Sequence, residues 1–238
     1  MRAVRSGTAR VPELAAAFDV SPMTVRRDLR MLAREGKLER VYGGAISAEE
    51  DRPFAEIAVE RSEAKERIGS AAAALVQDGQ AIMLDIGTTA VQVARHLRGR
   101  SLTVITTNLA AYEELLPEPG ITLILPGGVV RRDYRSLVGV IAEDSLSQLS
   151  ADMAFIGTSG VDAEASVWDT TMVEVPIKRA MMAAADRVVL LADRQKFSMG
   201  GVVRVCGAAD IDQIVTEGEL PATTAIAVRE AGIEVTIG

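Results

Sequence analysis

The feature that most constrains this chain is an alternation that begins at Gln80 and runs to the end. Short apolar runs lie at 81–86, 102–106, 121–125, 153–156, 188–192, 213–216 and 234–237, with helical stretches of about ten residues between most of them. A strand that is apolar along its whole length, not only at every second position, is buried on both faces. Such strands, separated by helices, pair in parallel, because each crossover brings the chain back to the starting edge. The pattern predicts an α/β fold: a mostly parallel, Rossmann-like sheet covered on both faces by helices. Aromatic residues are only 3% of the 238, so the core has to be built from Ala, Val, Leu and Ile.

The first fifth of the chain does not follow this pattern, and its charge sets it apart. The net charge of −7 divides unevenly. Residues 1–46 hold nine Lys/Arg against five Asp/Glu, net +4, whereas residues 47–238 hold 17 against 28, net −11. A small basic head on a larger acidic body is the asymmetry of a DNA-binding module joined to something else. Within the head, 11–18 reads as a short helix with Pro12 near its start and Leu14, Ala15 and Phe18 on one face. After a break at Asp19-Val20, Ser21 is a good N-cap and Pro22 a good first residue for a second helix reaching about Arg34. Val25, Leu29 and Leu32 form its apolar stripe, leaving Met23, Thr24, Arg26, Arg27, Arg30 and Arg34 outside.

Two helices joined by a tight turn, the second with a basic outer face, make a helix-turn-helix. The second helix would lie in the major groove of double-stranded DNA, with Ser21, Pro22, Met23 and Thr24 at its leading end. Arg26, Arg27 and Arg30 suit guanine or phosphate. Residues 37–46, with Tyr42 and a turn at Gly43-Gly44, read as the wing of a winged helix. The competing reading is that these arginines are a solvated helix face. The expected division is a DNA-binding domain at 1–46, a charged hinge with Pro53 at 47–62, and an effector-sensing domain at 63–238 whose first helix spans 66–77.

In parallel sheets ligands bind outside the carboxyl ends of the strands, so those ends carry the candidate site. The first strand runs into Asp85-Ile-Gly-Thr-Thr89 and a helix, and Gly87, Thr88 and Thr89 there suit an anion at a helix N-terminus. Later ends supply Asn108, then Gly127, Gly128 and Arg131, then Asp162, and finally Lys196. Hydroxyls, an amide, carboxylates and cations at one edge suit a phosphorylated polyhydroxyl ligand. Each has a structural alternative: Thr88, Thr89 and Asn108 as caps, Gly127-Gly128 as a turn. Lys178 is more telling. Pro176 marks the start of a helix, which places Lys178 in the first turn, where the macrodipole disfavours a cation. Glu174 or a ligand phosphate would remove the conflict; a solvated Lys178-Arg179 pair is the alternative. Trp168 could stack on a sugar or anchor its loop.

The remaining composition excludes several classes. No apolar run approaches the ~20 residues of a membrane span, and the N-terminus lacks a hydrophobic signal region. Cys206 is the only cysteine and reads as a small core residue; His96, the only histidine, falls on a polar helix face. Together they offer neither a disulfide framework nor a metal site, and the reading is of a cytoplasmic protein with no cofactor and no membrane partner.

The stretch Val11-Pro-Glu-Leu-Ala, Val20-Ser-Pro-Met-Thr-Val-Arg-Arg-Asp-Leu29, Glu35-Gly36 and Arg40-Val-Tyr-Gly-Gly-Ala45 resembles the winged-helix signature of DeoR-type bacterial regulators. The body resembles the effector domain of the same family, whose sheet is similar to that of ribose phosphate isomerases. The matching stretches are Asp85-Ile-Gly-Thr-Thr89, Thr106-Thr-Asn108, Pro126-Gly-Gly128, Phe155-Ile-Gly157, Gly160-Val-Asp162, Glu174 with Lys178-Arg-Ala-Met181, and Leu191-Ala-Asp193 with Lys196. The resemblance implies a repressor of a sugar-metabolism operon, acting as a homo-oligomer on operator DNA, with a phosphorylated sugar as effector and no catalytic residue.

Three departures stand out. Only Met1-Arg-Ala-Val-Arg5 precedes Ser6-Gly7 where the family has a complete first helix, which points to a late start codon or a truncation. Gln195 stands where the family has Ser, and Trp168-Asp-Thr-Thr171 where it often has Thr-Thr-Pro; both imply altered sugar specificity. Two alternatives stay open here. One is a sugar-phosphate isomerase with a regulatory head, for which Asp85, Asp162 or Glu174 would be the base. The other is a sensor that has lost DNA binding.

Overall fold

The computed structural model describes residues 9–10, 14–15, 18, 20–34, 38–41, 44–47 and 53–238. Tyr42, Gly43, Gly36 and the segment 1–8 lie outside the described residues. In the head, strand β1 (Ala9–Arg10) is followed by helical Leu14 and Ala15, helix α1 (Pro22–Arg34) and strands β2 (Leu38–Val41) and β3 (Gly44–Ser47). The three strands form an antiparallel sheet in the order β1-β3-β2, with Val41 opposite Gly44. Helix α1 begins as its sequence predicts: the Thr24 N–H donates to Ser21 Oγ at 3.1 Å, and Pro22 occupies the first position. Val25 and Leu29 are buried. Phe18 departs from the prediction. It is 60% exposed, although its N–H still donates to Leu14 O at 3.0 Å.

The body opens with helix α2 (Phe54–Val59) and helix α3 (Ser62–Ala73). Both begin inside the stretch read from sequence as hinge. The reason is Phe54, whose ring is buried in the main core while its N–H donates to Asp133 O at 2.9 Å. Next come β4 (Ala81–Leu84), α4 (Thr88–His96), β5 (Leu102–Thr106), α5 (Leu109–Leu115) and β6 (Ile121–Ile124). A hairpin of β7 (Val129–Arg131) and β8 (Ser136–Val138) precedes α6 (Val140–Leu146) and β9 (Ala151–Gly157). Strands β10 (Gly160–Val161) and β11 (Val167–Asp169) lead to α7 (Val175–Ala183) and β12 (Ala185–Leu191). The chain ends with a 3-10 turn (Arg194–Ser198), β13 (Val203–Cys206), β14 (Gln213–Thr216), α8 (Ala222–Glu230) and β15 (Glu234–Ile237). Among the described residues, no helix is long and apolar enough to cross a membrane.

The seven runs singled out in the sequence are the seven strands of one sheet, ordered β15-β14-β12-β9-β4-β5-β6 and parallel throughout. Successive side chains of a strand face opposite ways, and the core divides accordingly. Ile82, Leu84, Phe155, Val189 and Leu191 share one cluster with Ile68 and Ala72 of α3, Val93 of α4 and Leu115 of α5. Met83, Ala154, Ile156 and Val188 share another with Leu146 of α6 and Met181 of α7. Helices α3 and α4 approach closely at Gly69, where a Cβ would lie 2.5 Å from Gln92 Cβ and 2.7 Å from its carbonyl carbon.

From β4 the chain steps outward to β5 and β6, then returns to the other side of β4 to lay down β9, β12, β14 and β15. The reversal between β4 and β9 leaves a crevice at the carboxyl edge, where no crossover covers the strand ends.

Candidate functional site

At that crevice the loops after β4, β9 and β12 enclose a cavity of about 190 Å³. β4 is followed by Asp85, Ile86 and Gly87, which takes φ 103 before α4 begins. Glycine adopts that conformation without steric penalty, and it supplies no side chain to cap the helix. The first N–H groups of α4 therefore have no side-chain cap, and Gly87, Thr88 and Thr89 line the cavity. Unsatisfied N–H groups and the positive end of the helix dipole favour an anion there.

Asp85 does not line the cavity; it supports it. Its side chain is fully buried, with Oδ2 accepting from the Gly157 N–H at 2.9 Å and from Lys178 Nζ, while Oδ1 has no hydrogen-bond partner. Lys178 lies in the first turn of α7 and also donates to Gly157 O at 3.1 Å, with Asp169 Oδ2 at 3.4 Å. The conflict with the macrodipole is thus resolved by Asp85 and Asp169, and the solvated alternative is excluded by a side chain only 3% exposed. Burial pulls the Lys178 pKa down, but Asp85, Asp169 and Glu174 outweigh it and hold the ammonium form. Glu174 accepts from Ser136 Oγ at 3.1 Å and pairs with Arg131. Burial raises its carboxyl pKa to about 7 against the pull of Lys178 and Arg131.

Lys196 stands in the 3-10 turn after β12, whose N-cap Asp193 accepts from the Gln195 N–H at 3.0 Å. Burial lowers its pKa, with Asp193 and Asp169 opposing. The cavity is completed from an unexpected quarter by Ile57, Glu60, Arg61 and Lys65 of α2, α3 and their junction. Burial, with Lys196 adding to it, brings the Lys65 pKa down to about 8.

Of the candidates named from sequence, Gly87, Thr88, Thr89, Glu174, Lys178 and Lys196 line this cavity together. Arg131 does not line it, but pairs with Glu174 and lies 5.0 Å from the centroid of the Tyr134 ring, both of which do. Asn108 is fully buried and structural: Oδ1 accepts from the Ala110 and Ala111 N–H groups at the start of α5, and Nδ2 donates to the carbonyls of Asp85 and Gly87. It fastens the β4–α4 turn to the neighbouring one. Gly127 and Gly128 lead into the β7–β8 hairpin, where a Cβ on Gly128 would come 3.0 Å from Val138 O. Asp162 accepts from the Ser166 N–H at 2.8 Å and from Trp168 Nε1 at 2.7 Å, so Trp168 is an anchor of its own loop. Sequence reading missed Arg61, Lys65, Tyr134 and Asp169, which stand on the cavity wall with Asp193 of the Leu191–Asp193 stretch. His96 is exposed, and Cys206 packs against a further buried cluster that includes Val167, Val205 and Ile214, with its thiol pKa raised by burial to about 12.

In the head, Ser21, Pro22 and Met23 are exposed at the start of α1, and Thr24 is half-buried with its hydroxyl 2.9 Å from Ser21 Oγ. Arg26, Arg27 and Arg30 are exposed along the same helix, and Arg27 has an exposed ion pair with Asp28. The face opposite the Val25–Leu29 stripe is therefore basic and open.

Comparison with known proteins gives the two halves the same origin. Residues 3–51 match the DeoR-like helix-turn-helix domain, and residues 60–218 match the DeoR C terminal sensor domain. The glycerol-3-phosphate regulon repressor of Haemophilus influenzae is 34% identical over 220 residues, 91% of this chain and 86% of that one. The HTH-type transcriptional regulator GolR of Listeria innocua is 33% identical over 231 residues, 95% of this chain and 91% of that one. Among solved structures, ribose 5-phosphate isomerase A of Methanocaldococcus jannaschii aligns with a TM-score of 0.44 at 19% identity, covering 58% of this chain and 55% of that one. With a helix-turn-helix and a sensor domain both matched along one chain, this protein belongs to the DeoR family of transcriptional regulators.

Proposed function

We propose that the protein is a repressor of a sugar-metabolism operon whose hold on operator DNA is set by a phosphorylated sugar in the body cavity. The observation that carries this reading is the uncapped N-terminus of α4 opening on the same cavity as Lys196 and Lys178. A phosphate takes the N–H groups and the lysine charge, while Glu174, Asp169 and the Thr hydroxyls suit a polyol. The cavity of about 190 Å³ is small beside the ~300–1,000 Å³ of drug-sized sites, which favours a short-chain ligand. Similarity to a glycerol-3-phosphate regulon repressor supports the same size class.

The protein works by binding, without turnover. Of the three carboxylates an isomerase would call on, Asp85 is sealed in its pair with Lys178, Asp162 is engaged with Trp168, and Glu174, which lines the cavity, is held by Arg131 and Ser136. A homo-oligomer in the cytoplasm would present two basic α1 helices to repeated half-sites, as helix-turn-helix geometry demands. A head at 1–46 and a body that begins with α2 at Phe54 fit that arrangement.

The test is thermal shift with three- to six-carbon sugars and polyols, each with and without its phosphate, paired with an assay for conversion. At a hundredfold excess over Kd a ligand adds about 2.7 kcal/mol, or roughly 5–10 °C for a chain of this size. A shift requiring the phosphate, with no product formed, supports the reading. Turnover of the ligand refutes the non-enzyme assignment, and no shift with any compound refutes the effector site.

A further inference from the structure

Residues 53–61 belong to the stretch that leads from the head, yet they close one wall of the cavity. The junction is a two-residue corner. Helix α2 ends at Val59, Glu60 is extended, and Arg61 takes the left-handed conformation at φ 52, ψ 36 before α3 begins at Ser62. A non-glycine residue rests there only when its surroundings hold it. Those surroundings are Asp193, to which Arg61 Nη1 donates, and Glu217, to which Nη2 donates at 2.7 Å. Asp193 is the cap of the turn that carries Lys196, and Glu217 accepts from the Arg194 N–H at 2.9 Å in that same turn. The corner is therefore fastened to the Lys196 loop.

Lys65 adds a second tie. From the first half of α3 its Nζ reaches back to donate to Ile57 O at 2.5 Å, clasping α2 to α3. Lys65 and Lys196 line the same cavity, and their like charges oppose each other across it. An anion between two such ammonium groups removes the repulsion and leaves each with spare donors, since an ammonium has three. Lys65 can then keep Ile57 O while gaining the anion.

We propose that the anionic group of the effector is held jointly by Lys65 and Lys196, so that occupancy, through the Lys65 bond to Ile57 O, clamps α2 and the α2–α3 corner onto the body. The inference rests on the cavity being the effector site. It makes the link between ligand and α2 a single side chain, with no relay through the sheet.

The test uses the full chain with inorganic phosphate and, in parallel, glycerol 3-phosphate as probes. Calorimetry gives affinities for wild type, Lys65→Met, Lys65→Arg and Lys196→Met. Hydrogen exchange follows the amides of 54–61 with and without saturating probe. Lys65→Met is expected to bind about tenfold more weakly or worse, the loss of one charge-assisted hydrogen bond, with Lys65→Arg close to wild type. Exchange at 54–61 should slow on binding in wild type and not in Lys65→Met. If Lys65→Met binds as wild type does while Lys196→Met fails, the Lys65 contribution is refuted and the effector cavity stands. If wild type binds neither probe, the inference falls, and the effector cavity falls with it when the sugar and polyol series also gives no thermal shift. Should Lys65→Met not fold, unchanged exchange at 54–61 in saturated wild type overturns the inference by itself.

Discussion

Lys178→Met is the sharpest perturbation this structure offers. The substitution keeps most of the aliphatic volume and removes the charge, leaving Asp85 fully buried with only the Gly157 N–H on Oδ2. Asp169 and Glu174 lose the same cation, and Glu174 keeps its pair with Arg131. Breaking a buried pair from one side costs about 3–5 kcal/mol, because the surviving charge stays out of water without its partner. That is a large part of the ~5–15 kcal/mol that holds a typical domain. At roughly 2–4 °C per kcal/mol for a chain of this length, the melting temperature should fall by about 6–20 °C. Asp85→Asn on its own leaves Lys178 with Asp169 and Gly157 O and should cost less. The pair Asp85→Asn with Lys178→Met should recover part of the loss, since neither charge is then stranded. Urea unfolding of the four proteins closes the cycle. A Lys178→Met loss below about 1 kcal/mol, or a double variant as weak as the two single losses added, would refute the account of a coupled buried pair.

Arg26→Ala with Arg27→Ala should abolish binding to DNA selected by the wild-type protein while leaving ligand-induced thermal shifts intact; retention of wild-type affinity by fluorescence anisotropy would sink the assignment of α1. If both arginines clamp phosphate, single substitutions that still bind should each reduce the slope of log K against log salt by about 0.9. Gly69→Ala should lower stability by about 1–3 kcal/mol in thermal melts, because the new methyl meets Gln92 backbone as well as its side chain and α3 must move off α4. For Glu174, a folded pKa of about 7 against an ordinary 4.5 means that the native state holds a proton the unfolded chain has lost. Its contribution is present below about pH 4.5 and is lost as pH rises towards 7. Glu174→Gln should flatten the fall in stability across that window, and an unchanged slope would show that Glu174 does not titrate there.

The edge strand β15 leaves Val235 and Ile237 exposed, whereas the central strands were legible because they are largely buried on both faces, an environment that selects apolar runs. Ile82, Met83 and Leu84 illustrate it: three consecutive residues, all fully buried, on alternating faces. Lys178 was legible for the opposite reason, as a cation in a helix turn that repels it, although its partner proved to be Asp85, 93 positions away. Asn108 was misleading because a side chain that braces two turns has the same composition as one that binds a ligand. The α2–α3 corner was illegible. A charged stretch with one proline reads as hinge, and only the burial of Phe54 reveals that it is docked. Arg61 carries no local signature of its left-handed backbone, which is imposed by Asp193 and Glu217 from far along the chain.

The pairing of β4 with β9 has a consequence for biogenesis. Ile82 lies beside Met153, about 70 residues later, so at synthesis rates of roughly 5–20 residues per second the first strand waits some 4–14 s for its central neighbour. Meanwhile β4, β5 and β6 can pair only among themselves, with the other edge of β4 bare and apolar. The head, whose strands pair within about 40 positions of each other, has no such delay. A nascent chain thus carries a DNA-reading module before it carries a sensor, and the interval before β9 emerges is when it is most open to aggregation and to chaperones.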